Sequence, residues 1–236
     1  MTPRFIFDGE HLRATALGDH PDKLIITFDH WARDKDGFAP VRRDSSYVDK
    51  GFSHLHIATN RNDWFLNRDL PGALDAIAGF AAGYRRAVSL AFSMGGYGAL
   101  LVSRVVTFRQ VLLVSPHSTY AQDFPPFDDR FETDIADPDF AAAAHAAILD
   151  GKASKAACTV LYDSSMPFDT DHAEVAGNMF RNPRRIDLEG GGHPATRLLT
   201  DNNRFGMIMK AITADDLDVS RIEAQHARYR EAQRAG

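Results

Sequence analysis

Residues 90 to 99 read Leu-Ala-Phe-Ser-Met-Gly-Gly-Tyr-Gly-Ala, and this stretch decides the fold. The apolar run that ends at Phe92 predicts a short buried strand, and the small and apolar residues from Met94 onward predict a helix. Ser93 is therefore placed on a tight turn between a strand and a helix. The small residues around it allow the close backbone approach that such a turn demands. This placement lifts a hydroxyl out of the backbone, so Ser93 is the candidate nucleophile of the chain.

Outward from this turn, short apolar or β-branched runs alternate with stretches of helical period. Several of the strands are apolar at consecutive positions, which is typical of strands covered on both faces of a parallel sheet. The alternation predicts right-handed βαβ units and a doubly wound, mostly parallel α/β sheet flanked by helices. The predicted strands are Lys23–Phe28, Ser53–Ala58, Val88–Phe92, Gln110–Ser115, Thr159–Tyr162 and Arg185–Leu188, with a weaker one at Arg4–Phe7. The predicted helices are Gly72–Tyr84, Met94–Thr107, Asp139–Leu149, His172–Phe180 and Asn203–Ile212.

Composition limits the class of protein. A chain of 236 residues with 44% hydrophobic content can bury one sizeable core, which predicts a single domain over residues 1–236. The formal charge of −5 argues against a nucleic-acid partner, because such proteins generally carry a basic excess. A single cysteine, Cys158, excludes a disulfide framework and a CxxC metal pair. No apolar run reaches a membrane span, and no secretory signal is evident at the N-terminus, so we expect a cytoplasmic protein.

Two segments stand apart from the alternating pattern. Residues 120–138 are rich in aromatic residues, proline and aspartate and follow neither period, so residues 120–150 are a candidate lid insertion or a plain surface loop. The tail from 214 to 234 alternates charges with few apolar positions, which predicts a mostly solvated terminal helix or a contact between copies of the chain.

The turn at Ser93 resembles the nucleophile elbow of the α/β-hydrolase family, which reads G-x-S-x-G. Here the string is Ala91-Phe92-Ser93-Met94-Gly95, with alanine in place of the first glycine. The resemblance covers residues 23 to 212 in the order of elements, but only the elbow is specific. It implies a serine hydrolase that uses a Ser-His-Asp triad, with its members in the chain order Ser, Asp, His, and no cofactor.

The resemblance implies that the histidine follows the last strand and that the acid follows an earlier one. His193 ends a Glu-Gly-Gly-Gly run after the predicted strand 185–188, so it is the candidate general base. Two carboxylates remain open for the acid: Asp163 lies at a strand tip, and Asp169 lies farther into the loop. The position where the family commonly carries its acid holds Ser165, and this departure keeps a non-catalytic binding module with a hydrolase-like fold open as an alternative.

The oxyanion hole of such an enzyme would use the amide of Met94 and a donor from the loop after strand 23–28, where Asp29 and His30 are the candidates. The residues expected to bind substrate are Trp31, Asn62, Asp63, Trp64, Tyr97 and His117. For the run 62–64, an Asx turn with Trp64 in the core is the competing interpretation. A similar Asn-Asp-Trp string occurs in α/β-hydrolase-like proteins associated with bacterial surface glycans.

A metal site is the remaining alternative for the histidines. His54 and His56 lie two apart on one predicted strand and so share a face, near Asp29 and His30. Hydrogen-bonded strand histidines explain the same pattern, so we expect no metal.

The sequence thus predicts an esterase or thioesterase with a small-molecule or glycan-linked acyl substrate, or an acyltransferase to a glycan hydroxyl. The sequence is also compatible with a homo-oligomer.

Overall fold

A computed structural model describes residues 1–235 of the chain. The strands are β1 (Arg4–Asp8), β2 (Leu12–Leu17), β3 (Lys23–Phe28), β4 (Ser53–Thr59), β5 (Arg86–Phe92), β6 (Gln110–Val114), β7 (Ala157–Tyr162) and β8 (Arg184–Asp187). The helices are α1 (Leu70–Ala81), α2 (Met94–Val102), α3 (Pro138–Asp150), α4 (Asp169–Asn178), α5 (Arg197–Asp201), α6 (Phe205–Thr213) and α7 (Ser220–Ala235).

The eight strands form one sheet in the order β1-β2-β4-β3-β5-β6-β7-β8. β1 and β2 run antiparallel at one edge, and every pairing from β4 and β3 to β8 is parallel. The predicted doubly wound, mostly parallel sheet is therefore confirmed. The strand order places the end of β5 near the middle of the sheet, where ligands of open α/β sheets bind. Two elements that the sequence pattern did not predict are β2 and the short helix α5.

Successive residues of the central strands alternate between two hydrophobic cores, one on each face of the sheet. Leu24 and Ile26 of β3 face the core that α1 to α4 cover, whereas Ile25 faces the core beneath α6 and α7. The second core is completed over β2 to β4 by the irregular segment 29–52, from which Tyr47 and Phe52 are buried. Both faces of the sheet are thereby covered, and the carboxyl edge of the strands is left to the loops that carry polar residues.

The C-terminal helix α7 has one buried side. Ile222 is 1% exposed and His226 is 4% exposed, while the rest of the helix is rich in charged residues. His226 Nε2 lies 3.1 Å from the carbonyl oxygen of Glu189, and Arg230 pairs with the Glu189 side chain. The helix thus contacts the start of the glycine loop after β8. Within residues 1–235, no helix has the length and apolar character needed to cross a membrane.

Candidate active site

Ser93 occupies a strained backbone position at the tip of β5. Its φ and ψ angles are 49° and −125°, a conformation that a residue other than glycine adopts only where the surroundings enforce it. The Ser93 amide donates to the carbonyl oxygen of Val114 at 3.1 Å, and its own carbonyl accepts from the His117 amide at 3.0 Å. The helix α2 begins at the next residue, Met94. The neighbouring strand β6 and the loop after it therefore hold the turn in place.

The glycines after Ser93 are required by close backbone contacts. A Cβ atom on Gly95 would lie 2.7 Å from the carbonyl oxygen of Asp29, and one on Gly96 would lie 2.5 Å from Cβ of Pro116. Both distances are too short for any side chain. Ala91, which stands where the family pattern has its first glycine, is buried inside β5 at 1% exposure, so a methyl group is accommodated there.

The structure brings Ser93, His193 and Asp169 into one hydrogen-bonded array. Ser93 Oγ lies 2.9 Å from His193 Nε2, and His193 Nδ1 lies 3.1 Å from Asp169 Oδ1. Ser93 is 8% exposed, Asp169 is 2% exposed, and the His193 side chain is 10% exposed. Asp169 is the first residue of α4, so its carboxylate lies at the positive end of that helix. We call these three residues the Ser93 array.

Asp163, the other candidate acid, has a different position. Its Oδ1 accepts from the amide and the hydroxyl of Ser165 at 2.8 and 2.6 Å and from the Gly190 amide at 2.9 Å, and its Oδ2 accepts from the Gly192 amide at 2.6 Å. Burial alone would raise the pKa of Asp163, but these hydrogen bonds outweigh burial and lower it. The expectation of Asp163 as the acid that orients His193 is therefore corrected: it shapes the glycine loop that carries His193.

A second anchor fixes the other end of that loop. The amide of Ala195 donates to Ser115 Oγ at 2.9 Å, two residues beyond His193. Ser115 follows β6 directly and has a φ of 41°. The loop is thus held by β7 through Asp163 and by β6 through Ser115, which positions the imidazole above Ser93.

The predicted oxyanion donors separate into two groups. The Met94 amide lies at the start of α2, where backbone amides are unpaired within the helix and the dipole favours a developing anion. The Asp29 amide donates to the carbonyl oxygen of Ile57 at 2.9 Å, so the expectation of Asp29 as a donor is wrong. The His30 amide, one residue farther along, remains the candidate for the second donor.

The Asp29 side chain instead stabilises the base of this loop. Its carboxylate accepts from Lys35 Nζ at 2.9 Å and from the Thr59 amide at 3.3 Å, and lies 3.2 Å from His56 Nε2. Burial would raise the pKa of Asp29, but the hydrogen bond to His56 and the charge of Lys35 lower it to about 2. The carboxylate therefore stays ionised and holds the loop between β3 and β4.

Two of the predicted substrate residues, Trp31 and Asn62, line a polar cleft of about 460 Å³. The other walls come from Arg33, Asp34, Lys35, Asp129, Arg130, Glu132 and Asp134. Trp31 Nε1 donates to the carbonyl oxygen of Glu132 at 3.0 Å, and the backbone N–H of Asn62 donates to Asp134 Oδ2 at 3.1 Å. These contacts attach residues 128–134 to the loops after β3 and β4.

The other four predicted substrate residues lie in the interior. Both carboxylate oxygens of Asp63 are hydrogen-bonded within the protein, including to the Phe65 amide, which is the geometry of an Asx turn. Trp64 is 2% exposed and stacks on His117 at a centroid distance of 5.8 Å, and His117 is also 2% exposed. Tyr97 is fully buried, and its hydroxyl lies 2.9 Å from His145 Nδ1 of α3. The expectation that Asp63, Trp64 and Tyr97 bind substrate directly is corrected, because their side chains are buried in the interior. His117 is also buried, but its ring lies 5.4 Å from that of His193.

Sequence reasoning missed two residues that contact the Ser93 array, Phe131 and Arg130, and a third that lies near it, His172. The Phe131 ring lies 5.2 Å from the His193 ring, at an interplanar angle of 43°. Arg130 Nη2 lies 3.8 Å from Asp169 Oδ1, and Arg130 also pairs with Asp128. His172 lies one turn after Asp169 on α4. Phe131 and Arg130 fall in a segment without any period, so only their aromatic and charged character was visible in the sequence.

The histidines of β4 belong to a chain of hydrogen bonds. His54 Nε2 and His56 Nδ1 both contact Thr27 Oγ1, at 2.7 and 2.9 Å, and His54 Nδ1 contacts Ser45 Oγ at 2.8 Å. Burial lowers the pKa of His54 to about 3, with smaller effects from His56 and Arg42. Within residues 1–235, no group of three histidine, cysteine or acidic residues has the arrangement of a metal site. The structure thus shows the hydrogen-bonded arrangement of these histidines.

Comparison with known proteins gives matches in structure alone. No family model matches the sequence, and no curated protein is significantly similar to it. The capsule O-acetyltransferase of Neisseria meningitidis serogroup A, in complex with CoA, shares 15% identity over 86% of this chain and 93% of its own, with a TM-score of 0.59. A sugar hydrolase from Lactococcus lactis shares 12% identity over 98% of this chain and 99% of its own, with a TM-score of 0.56. The acylaminoacyl peptidase of Pyrococcus horikoshii shares 13% identity over 94% of this chain and 43% of its own, with a TM-score of 0.54.

This chain has the α/β-hydrolase fold. The order of its strands, the turn at Ser93 and the position of His193 after β8 all follow from that fold. At such low identities the similarity establishes the fold and leaves the activity to be argued from the site.

The α/β-hydrolase fold of this chain concentrates backbone strain at the carboxyl edge of its sheet. Within residues 1–235, seven residues other than glycine have a positive φ, and five of them follow β4, β5, β6 or β7. These five are Trp64, Phe65, Ser93, Ser115 and Phe168. Strained residues cluster where a site needs a fixed geometry, and each costs about 1–3 kcal/mol of stability. The strain therefore marks the same edge that carries the Ser93 array.

Proposed function

We propose that this chain is a serine hydrolase that cleaves a carboxylic ester or thioester through an acyl-enzyme on Ser93. One observation carries the proposal: a serine on a strained strand-to-helix turn has its Oγ 2.9 Å from His193 Nε2, and His193 Nδ1 is 3.1 Å from a buried carboxylate. A serine hydroxyl is a weak nucleophile until a positioned base takes its proton. The base here is held in turn by Asp169, which favours the tautomer with its proton on Nδ1.

In the proposed reaction, Ser93 Oγ attacks the acyl carbonyl carbon while its proton passes to His193 Nε2. The carbonyl oxygen becomes an oxyanion that accepts hydrogen bonds from the Met94 and His30 amides, each contributing about 3–4 kcal/mol to transition-state stabilisation. The intermediate collapses, the bond to the leaving group breaks, and His193 gives its proton to the departing oxygen or sulfur. Water then attacks the acyl-enzyme with His193 as base, which releases the acid and restores Ser93.

A second candidate function is acyl transfer to the hydroxyl of an acceptor in place of water. The polar cleft beside the Ser93 array favours it, because Trp31 offers an aromatic wall and Asn62 lies with charged side chains of both signs around it. Such walls suit a hydroxyl-rich acceptor, which hydrogen-bonds to amides and carboxylates and packs its apolar face on an aromatic ring. The similarity in fold to an O-acetyltransferase that binds CoA agrees with this candidate.

The test compares wild type with Ser93→Ala and with Ser103→Ala, a matched control at the far end of α2. Wild type and the control should hydrolyse p-nitrophenyl acetate and react with a fluorophosphonate probe, whereas Ser93→Ala should do neither and keep its unfolding temperature. Mass spectrometry should locate the probe on Ser93. A wild-type protein that neither turns over esters and thioesters nor reacts with the probe would favour a non-catalytic binding module. Transfer of the acyl group to added polyols, at the expense of free acid, would favour the second candidate.

A further inference from the structure

Several buried polar atoms around the Ser93 array have no partner within the protein. They are Asp169 Oδ2, His172 Nε2, His117 Nε2 and Trp64 Nε1. Buried polar atoms are almost always hydrogen-bonded, and small sets of such atoms around one place are commonly bridged by a buried water. Four of them beside one candidate site therefore indicate a binding site for a small polar ligand.

The hydrogen bonds of His172 fix its tautomer. The Ser118 amide lies 3.2 Å from His172 Nδ1 and can only donate, so Nδ1 is the acceptor and the ring proton is on Nε2. Burial lowers the pKa of His172 to about 4, so the ring is neutral at ordinary pH. His172 Nε2 is thus a buried N–H donor. A nitrogen that carries a proton cannot bind a metal ion, so the ligand of this site accepts a hydrogen bond.

Asp169 supplies the acceptor on the other side. His172 follows Asp169 by three residues on α4, so the two side chains lie on the same face of the helix. Asp169 Oδ1 is hydrogen-bonded to His193 Nδ1, and Asp169 Oδ2 is buried without a protein partner. The ring of His117 lies 5.2 Å from the ring of His172 and 5.4 Å from that of His193. Burial lowers the pKa of His117 well below its ordinary value, so this ring is also neutral and one of its nitrogens can accept.

We propose that His172, His117 and Asp169 Oδ2 bind one buried water, and that His172 is through this water a positioning residue for the Asp169 carboxylate. The water accepts a hydrogen bond from His172 Nε2 and donates its two protons to Asp169 Oδ2 and His117 Nε2. Three hydrogen bonds are the usual number for a buried water. The carboxylate is then held at both oxygens, by His193 and by the water, and cannot rotate away from the imidazole. This role rests on the proposed function, because it serves the reaction of Ser93.

Two variants separate positioning from mere structural support. His172→Asn keeps an amide oxygen near the place of Nδ1, so it retains the contact with Ser118 and removes the Nε2 donor. His172→Gln places an amide N–H near the position of Nε2, so it retains the donor to the water and loses the contact with Ser118. The charged groups Asp128 and Asp171 near His172, and Arg130 near Asp169, stay unchanged in both variants.

The expected result is a loss that follows the Nε2 donor. Replacing residues that support a site through another group typically lowers activity by about 10–100-fold. His172→Asn should therefore lower kcat by about 10-fold with an unchanged KM, and His172→Gln should stay within about 3-fold of wild type. The acidic limb of the kcat/KM profile should move to higher pH in His172→Asn, because a carboxylate that loses a donor attracts the imidazolium proton of His193 more strongly.

A readout that does not depend on turnover keeps the two proposals distinguishable. The Nδ1 proton of His193 should give one downfield NMR resonance in wild type and His172→Gln, and a shifted or broadened one in His172→Asn. If esters and thioesters are not cleaved but this pattern holds, the proposed function has failed and the water-mediated contact stands. If His172→Gln loses activity and unfolding temperature as much as or more than His172→Asn, or if His172→Asn leaves both kcat and the resonance unchanged, the positioning role is overturned.

Discussion

Replacing Asp163 and Asp169 by asparagine, one at a time, should impair different properties of the protein. Asp163 accepts four hydrogen bonds that join the end of β7 to Ser165 and to the amides of Gly190 and Gly192. An amide group at this place turns one acceptor into a donor. Its best orientation puts the NH₂ group at the Oδ2 position, opposite the Gly192 amide, where two donors face each other.

The size of the effect follows from these contacts. Losing one hydrogen bond to a charged group removes about 1.5–3 kcal/mol, and the remaining bonds weaken because their acceptor is no longer ionised. We therefore expect Asp163→Asn to lower the free energy of unfolding by about 3 kcal/mol, which corresponds to about 6–12 °C in Tm for a chain of this size. Activity should fall only in part, because His193 keeps its own partners.

Asp169→Asn should show the opposite pattern. The replacement of a triad carboxylate by an amide lowers kcat by about 10⁴-fold where it has been measured in serine proteases, because the imidazole takes the wrong tautomer. Asp169 makes one side-chain hydrogen bond to a protein group, His193, against the four that Asp163 makes, so its replacement should change Tm by less than about 3 °C. The assay is p-nitrophenyl acetate hydrolysis together with thermal unfolding of wild type and both variants. A 10³-fold or larger loss in Asp163→Asn at unchanged Tm, with Asp169→Asn still active, would refute the assignment of the two carboxylates.

Three further predictions concern the elbow and the buried histidines. Ser93→Gly should raise the free energy of unfolding by about 1 kcal/mol while abolishing hydrolysis, because glycine tolerates the positive φ; chemical denaturation of Ser93→Gly beside Ser93→Ala checks this, and equal stabilities would contradict it. Gly95→Ala should reduce both the rate of hydrolysis and the unfolding temperature, because its Cβ would lie 2.7 Å from the Asp29 carbonyl oxygen. If the variant matched wild type in both, the loop after β3 would be able to move away from the added methyl group. Stability should fall as pH drops from about 6.5 towards 4. Burial lowers the pKa of His54 to about 3 and that of His172 to about 4, so in this range both rings bind a proton in the unfolded chain and stay neutral in the folded one. Each histidine contributes up to about 1.4 kcal/mol per pH unit, and urea unfolding between pH 7 and 4.5 should show this slope rather than a flat profile.

The strands in the middle of the sheet could be predicted from the sequence because their consecutive apolar residues indicate a strand buried on both faces. The bounds of β3 agree with the prediction at both ends, and those of β4, β5 and β7 differ by one or two residues. β2 was missed because its sequence, Leu-Arg-Ala-Thr-Ala-Leu, has small residues where most strands carry β-branched ones. Its formation depends on antiparallel pairing with both β1 and β4, a tertiary contact that no local pattern records.

The candidate site was predictable only where a residue has a fixed place relative to a strand. Ser93 follows β5 directly and His193 lies in the loop after β8, so their positions could be inferred from the order of the elements. The choice between Asp163 and Asp169 depended on which carboxylate lies within hydrogen-bonding distance of His193 Nδ1. A sequence pattern does not give that distance. His117 follows β6 and His172 lies on α4, and the two meet only through the packing of their rings, so no spacing in the sequence indicated that contact.

The positive φ angles at Ser93, Ser115 and Phe168 have a consequence for engineering. Random libraries screened for heat resistance alone should accumulate glycine or asparagine at these positions, since such replacements relax the chain. Clones selected in this way would lose the arrangement that the loops now impose. Thermostabilising campaigns are therefore better directed to the opposite end of the sheet and to the outer faces of the helices, where tolerance to mutation can be gained without disturbing the elbow.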